Sequence, residues 1–207
     1  MSDLFANSSI DQNLESPLAD KMRPQSLDEV IGQHHLLGEG APLQNMVSSG
    51  NFSSLILWGP PGVGKTTIAR LLADHSKSHF EQLSAIFTGV SDLKKVFETA
   101  KIRRTNGHKT IIFVDEIHRF NKSQQDSFLP FLEDGTITLI GATTENPSFE
   151  LNSSILSRVQ VLVLERLTNT NLESLFDRAE SLLGSQINLD LDAKTELLKQ
   201  ADGDGRT

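Results

Sequence analysis

Nine residues, GPPGVGKTT at 59–67, constrain this chain more than any other stretch. They fit the spacing G-x-x-x-x-G-K-S/T through Gly59, Gly64, Lys65 and Thr66. Such a loop needs a strand before it and a helix after it, because it works by aiming backbone N–H groups and a helix N-terminus at phosphate oxygens. Both neighbours are present. SSLILWG (53–59) is a short apolar run closed by glycine, the pattern of a buried strand. KTTIARLLADH (65–75) places Ile68, Leu71 and Leu72 at helical spacing. Pro60, Pro61, Gly62 and Val63 complete the loop, and Thr67 follows it. Glycines keep side chains out of the cradle. Lys65 brings a cation to the terminal phosphates, and the Thr66 hydroxyl suits magnesium.

A second stretch, TIIFVDEIHRF (110–120), follows oily β-branched residues with two adjacent carboxylates, Asp115 and Glu116. Like charges beside a buried strand repel and resist desolvation, so the pair calls for a cation. Parallel α/β sheets bind ligands at the carboxyl ends of their strands. That rule puts the pair at the edge where LILWG ends. Consecutive residues leaving a strand diverge in direction. Asp115 is therefore read as holding the water shell of magnesium, and Glu116 as the base that orients and polarises an attacking water. An aspartate alone suits many nucleotide binders; the second carboxylate tilts the reading toward hydrolysis. The alternative for Glu116 is a surface acid on a loop.

The rest of the chain alternates. Strands are expected at 79–85, 110–116, 136–144 and 159–167. Helices are expected at 91–101, with Ser91 as cap and Leu93, Val96, Phe97 and Ala100 as its apolar face, and at 122–135, stopped by Gly135. Alternation of this kind gives an α/β fold, a parallel sheet flanked by helices, over residues 17–167. After Leu167 two helical patterns follow with no strand between them, so 168–207 reads as the start of an all-helical unit. Residues 1–16 are polar and aperiodic, a loose tail.

Length allows one good-sized core or one core plus part of a second. Cysteine is absent, which removes disulfides and thiolate metal sites and fits a reducing cytosol. Asp3, Asp11 and Glu15 precede the first cation, Lys21, the wrong charge for a secretory signal. No apolar run approaches a membrane span. His34, His35 and His118 lack cysteine partners or helical spacing for a metal and read as structural or surface residues. The net charge of −8 argues mildly against nucleic-acid binding. It is uneven, however. Lys94, Lys95, Lys101, Arg103, Arg104 and Lys109 meet only Glu98 between 94 and 109, a local +5. Such a patch could track phosphates or simply be a solvated helix face.

Four segments carry a resemblance: ADKMRPQSLDEVIGQHHLLGEGAPL (19–43), ILWGPPGVGKTT, FVDEIHRFNKSQQDSFLPFLEDGTITLIGATTENPSFELNSSILSR (113–158) and ADGDGR. Together they resemble AAA+ ATPases, and among these the bacterial replication-associated recombination protein A family with its eukaryotic relatives, the Werner-helicase-interacting ATPases. The stretches RFNKSQQDSFLPFLEDGTI and GATTENPSFELN are specific to that family; DEIHR and GATT are shared with the Holliday-junction branch-migration motor.

The resemblance implies ATP and Mg2+ as cofactors and further site residues. Thr144 matches the sensor-1 residue, with Asn146 as second candidate. Arg23 to Ile31 would form part of the adenine pocket, with Val30 and Ile31 as apolar walls. Arg158 matches the arginine finger offered to a neighbouring subunit, and Arg206 the sensor-2 arginine. The duller alternatives are that Thr144 satisfies a turn and that Arg158 is a surface cation beside Glu150. The resemblance further implies a homo-oligomer acting on single-stranded, gapped or forked DNA, single-stranded-DNA-binding protein as a partner, no membrane, and a cytoplasmic, nucleoid-associated location. The chain stops one residue after Arg206, where the family continues. It is therefore expected to be a truncated form that binds nucleotide weakly and hydrolyses it poorly alone. Rival readings are a branch-migration motor, a clamp-loader subunit, a non-hydrolysing nucleotide-gated scaffold and a small-molecule kinase.

Overall fold

Five short strands pair side by side: β1 Leu55–Trp58, β2 His79–Ser84, β3 Thr110–Asp115, β4 Thr138–Thr143 and β5 Gln160–Val163. All pairings are parallel, in the order β2-β3-β4-β1-β5. The computed structural model describes residues 17–184, 187 and 189–206; the 1–16 tail reading lies outside the described residues. Before β1 come the short helices α1 Leu18–Lys21 and α2 His34–Leu37 and the longer α3 Pro42–Ser49. The crossovers are α4 Lys65–His75, α5 Val90–Thr105, the pair α6 Lys122–Asp126 and α7 Leu129–Glu133, and the pair α8 Pro147–Glu150 and α9 Ser153–Leu156. Two helices, α10 Asn169–Leu183 and α11 Leu191–Ala201, follow the sheet. No described helix is long and apolar enough to cross a membrane.

The period of two along each strand builds two cores. Leu55, Leu57, Ile111 and Phe113 face Leu43 of α3 and Ile68 and Leu72 of α4. Ile56, Ile112 and Val114 face the opposite layer, with Leu93 and Phe97 of α5 and Phe128. β3 is covered on both sides, and its first five residues are all buried. That is why IIFV (111–114) is an unbroken apolar run rather than an alternating one. Phe113 and Phe128 are fully buried; truncating either to alanine costs about 3–5 kcal/mol. A Cβ on Gly141 of β4 would come within 2.6 Å of Ile56 Cδ1 and 2.9 Å of Ile117 Cδ1. The bare backbone there lets Ile117 seat the segment that follows Glu116.

Several boundaries differ from the sequence expectation, each for a local reason. The α5 helix starts at Val90 and is capped at Gly89, whose N–H donates to the Asp92 carboxylate at 3.2 Å; Ser91 already lies inside it. The single helix expected at 122–135 is two, because Pro130 has no N–H to donate to the Asp126 carbonyl. β5 ends at Val163, not Leu167, because beyond Leu164, whose N–H still donates to Trp58 O at 2.7 Å, the backbone groups are engaged elsewhere. The Gln33 amide donates to Glu165 O at 2.8 Å and accepts from Glu165 N–H at 3.0 Å, an imitation of strand pairing by one side chain. The Leu167 N–H donates to Gly203 O at 3.3 Å.

This departure turns the chain toward α10 and α11, which pack around Leu167, Leu172 and Ala201. A capping box opens α10: the Thr168 hydroxyl accepts from Asn171 N–H and the Asn171 side chain accepts from Thr168 N–H. Asp190 caps α11 by accepting from Ala193 N–H at 2.6 Å.

Candidate nucleotide site

The phosphate loop is stapled to the sheet at its first residue, where Gly59 N–H donates to Thr143 O at 3.1 Å. Val63 is buried in the core and anchors the middle of the loop, whereas Pro61 is exposed. Gly62 and Gly64 take φ values of 70° and 97°, conformations that suit glycine. Gly64 is the N-cap of α4 and brings no side chain, so the first-turn N–H groups stay available to an anion. Gly62 also touches the far end of the chain. Its carbonyl accepts from Gly205 N–H at 3.2 Å, and a Cβ at Gly62 would collide with Asp204.

Lys65 is 8% exposed, and its Nζ donates to Gly59 O and Pro60 O at 2.7 Å each. Burial lowers its pKa below the usual lysine value, while the charges of Glu116 and Asp115 pull it back up. Arg206 adds a lowering push and Asp204 an opposing one. The carboxylate pair and the loop lysine thus share one local field, with Arg206 at its margin. Thr66, Thr67 and Asp115 line the same cleft, and Asp115 stands at the very end of β3. Among the described residues no group of three or more His, Cys, Asp or Glu side chains could hold a metal. The donor set here is of another kind: one hydroxyl and one carboxylate beside a phosphate cradle, which suits a magnesium ion that keeps waters and takes phosphate oxygens.

Glu116 leaves the strand at φ 52°, ψ 45°, a left-handed conformation uncommon for a residue with a Cβ. The turn separates its carboxylate from that of Asp115. Its Oε2 lies 3.3 Å from Nδ1 of His118, whose side chain is 7% exposed. The same Nδ1 lies 2.9 Å from the hydroxyl of Thr143, which is fully buried at the end of β4. Thr144 sits one residue past that strand end and is partly buried. The Asn146 side chain caps α8 by accepting from Ser148 N–H at 3.0 Å.

A cleft of about 730 Å³ runs from the loop to the helical pair. Arg23, Val30 and Ile31 line it, together with Met22, Phe176 and Ala179. Its far wall, drawn from α10, has no local signature in the sequence. Arg206 lines the cleft as well; its N–H donates to Asp204 Oδ1 at 2.8 Å. Arg158 is not in it. At the end of α9, its guanidinium pairs with Glu133 through Nε at 2.9 Å and Nη2 at 2.5 Å, and reaches Ser154 O through Nη1 at 2.8 Å. The acid beside it is therefore Glu133 rather than Glu150.

The basic run is largely matched by acids. Lys95 pairs with Asp92 at 3.7 Å, Lys101 with Glu98 at 2.8 Å, Arg103 with Glu81 at 2.6 Å and Arg104 with Asp134 at 3.4 Å. Three of these acids, Asp92, Glu81 and Asp134, lie outside the 94–109 window. Lys94 and Lys109 have no such ion pair among the described residues. His34 is exposed, while the ring Nε2 of His35 lies 2.8 Å from Val163 O.

A phosphate loop after β1 of a five-stranded parallel sheet, with paired acids at the end of β3 one strand further over, defines a class of nucleotide hydrolases. Residues 55–167 match the model of the ATPase family associated with various cellular activities (AAA), and the chain belongs to that family. Within it, the similarity runs to replication-associated recombination protein A. The chain is 46% identical over 209 residues to that protein of Escherichia coli strain K12, covering 98% of this chain and 47% of the relative. It is 51% identical over 168 residues to the Haemophilus influenzae protein of the same name, covering 81% and 38%. ATPase WRNIP1 of Dictyostelium discoideum is 47% identical over 195 residues, covering 92% and 22%. The chain thus spans about half or less of the length of these relatives. Among solved structures, the Thermotoga maritima RuvB Holliday junction branch migration motor superposes with a TM-score of 0.71 at 29% identity, covering 89% of this chain and 62% of that one.

Proposed function

We propose that this chain is the nucleotide-binding half of a DNA-dependent ATPase acting at stalled or gapped replication forks. The observation that carries the ATPase reading is that Asp115, at the end of β3, lines one cleft with Gly62, Gly64, Thr66 and Thr67 of the phosphate loop, with Glu116 the next residue along. The loop N–H groups and the start of α4 bind phosphate oxygens. Lys65 exchanges its two backbone acceptors for the terminal phosphates. Thr66 and Asp115 would hold magnesium, which would offset negative charge on the phosphate oxygens. Glu116 orients a water and accepts its proton. Thr144 contacts the γ-phosphate from the β4 side and Arg206 from the lid side. Met22, Val30, Ile31 and Phe176 offer apolar surface to a base, with Arg23 at the rim.

Arg158 lies outside the cleft of its own chain, which suits a finger that completes a neighbour's site. That role requires a homo-oligomer. The DNA reading draws on relatives named for replication and recombination, at 46–51% identity against 29% for the branch-migration motor. Lys94 and Lys109 are the cations of the basic run most available to phosphates. Single-stranded-DNA-binding protein is a proposed partner on the same ground. The test is the ATPase rate of the protein at its full natural length, with and without single-stranded, gapped and forked DNA. Stimulation by one of these supports the reading; a rate indifferent to all three removes DNA from it.

A further inference from the structure

The buried contacts behind Glu116 assign a role that the phosphate chemistry leaves open. Three groups meet around one ring nitrogen: His118 Nδ1 is 2.9 Å from Thr143 Oγ1 and 3.3 Å from Glu116 Oε2. The Thr143 hydroxyl is itself spoken for. It accepts from Glu145 N–H at 3.0 Å and faces Glu145 O at 3.2 Å as its own acceptor. With Glu145 O available for its proton, Oγ1 is free to accept from His118. Glu116, as a carboxylate, can only accept. Both neighbours of Nδ1 can therefore accept, and the arrangement is satisfied when Nδ1 carries the proton. A bare Nδ1 would set a lone pair against a carboxylate oxygen in a buried place, where an unmade hydrogen bond is costly.

We infer that His118 is a positioning residue: its Nδ1–H ties the Glu116 carboxylate to the end of β4, so that the catalytic base and the strand that leads into Thr144 move as one unit. The backbone makes such a tether necessary. Glu116 begins its turn in a left-handed conformation and is partly exposed, so little else fixes where its carboxylate points. His118 is held by Ile117, which packs against Gly141 of β4, and by the buried Thr143 at the end of the same strand. A displacement of the residues after Thr143, such as contact with a terminal phosphate would cause, reaches Glu116 through the Thr143–His118 hydrogen bond and the 3.3 Å contact between His118 and the Glu116 carboxylate. The consequence is a base whose aim depends on whether the β4 side of the site is engaged. The inference rests on the reading of Glu116 as the base that activates water.

The experiment measures ATP turnover and KM for the protein at its full natural length and for His118→Ala, His118→Asn and Glu116→Gln. The amide nitrogen of asparagine can stand where Nδ1 stands and donate as it does. His118→Ala should lower kcat by about 10- to 100-fold, the scale of a mispositioned catalytic group, with KM for ATP within about twofold. His118→Asn should recover most of that loss. A kcat unchanged in His118→Ala, a KM that rises in step with the loss, or an equal defect in both His118 variants would overturn the inference. Glu116→Gln separates the two levels. Turnover lost in Glu116→Gln but intact in His118→Ala leaves the base reading standing and removes only the tether. Turnover retained in Glu116→Gln removes the base, and the tether with it.

Discussion

Arg178 of α10 reaches across the cleft to Glu29, 149 residues earlier, with Nη2 2.8 Å from Oε2. The acid is prepared for it: Glu29 also accepts from Gln25 N–H at 3.1 Å, and that bond, followed by the guanidinium, holds its carboxyl below the usual glutamate range. One strut thus joins the helical pair to the segment that carries Val30 and Ile31, the two walls of the base pocket. Both partners are partly exposed, so solvent screens the pair and its contribution to stability is small. Its contribution to the shape of the pocket is the larger one. Arg178→Ala should weaken Mg-ATP binding by about two- to fivefold, with little change in melting temperature. An unchanged dissociation constant at low salt would show that the pocket holds its shape without the strut.

Gly62 is where the lid end of the chain meets the phosphate loop. Its positive φ strains any residue with a Cβ, and the added carbon would displace Asp204. Gly62→Ala should cost about 1–2 kcal/mol from the backbone alone. The more telling readout is local: amide hydrogen exchange at residues 203–206 should speed up, because the Gly205 N–H loses its acceptor. Exchange that stays slow there would mean that the turn is held by its other contacts, to Leu167 and Arg166.

Lys65 sets function against stability. Burial lowers its pKa, so the folded nucleotide-free chain bears the cost of a desolvated ammonium group. Lys65→Met should abolish Mg-ATP binding yet leave the nucleotide-free melting temperature equal or higher. The pH dependence follows from linkage. Between the lowered folded value and the ordinary 10.5, the unfolded chain binds more protons at this site, so wild-type stability rises with pH there. The gap between Lys65→Met and wild type should therefore narrow as pH climbs through that window. Melting curves of the two proteins from pH 7 to 10 decide it; a gap that widens contradicts the account.

Arg158 makes a prediction about mixing. Arg158→Ala should lower turnover by about 1,000-fold or more if the guanidinium completes a neighbour's site. Mixing that variant with Glu116→Gln subunits should restore part of the activity, since each lacks what the other supplies. Failure to complement, with each variant alone inactive, would place Arg158 and Glu116 in the same site.

The parts of this molecule that its sequence displays are those whose causes are local. IIFV (111–114) is apolar throughout because β3 is covered on both faces, and the phosphate loop declares itself because glycines, lysine and threonine must stand at fixed spacing. The single helix expected at 122–135 overlooked the break at Pro130, although a missing N–H is itself a local cause. What stays hidden depends on residues far apart in the chain. Gln33 ends β5 from 132 positions away, Arg178 finds Glu29 across the cleft, and Thr143 meets His118 only because β3 and β4 are neighbours. The run of cations between 94 and 109 misleads for the same reason: Glu81 and Asp134 approach it in space, not in sequence.

The central claim is that the loop, Lys65 and Asp115 form one site for a magnesium nucleotide. Equilibrium titration of this chain with ATP, with and without magnesium and against Lys65→Met and Asp115→Ala, tests it most directly. The account predicts saturable binding at one site per chain, weakened by removing magnesium or Asp115 and lost without the lysine. Absence of saturable binding by the folded wild-type chain, or binding indifferent to Lys65, would contradict it.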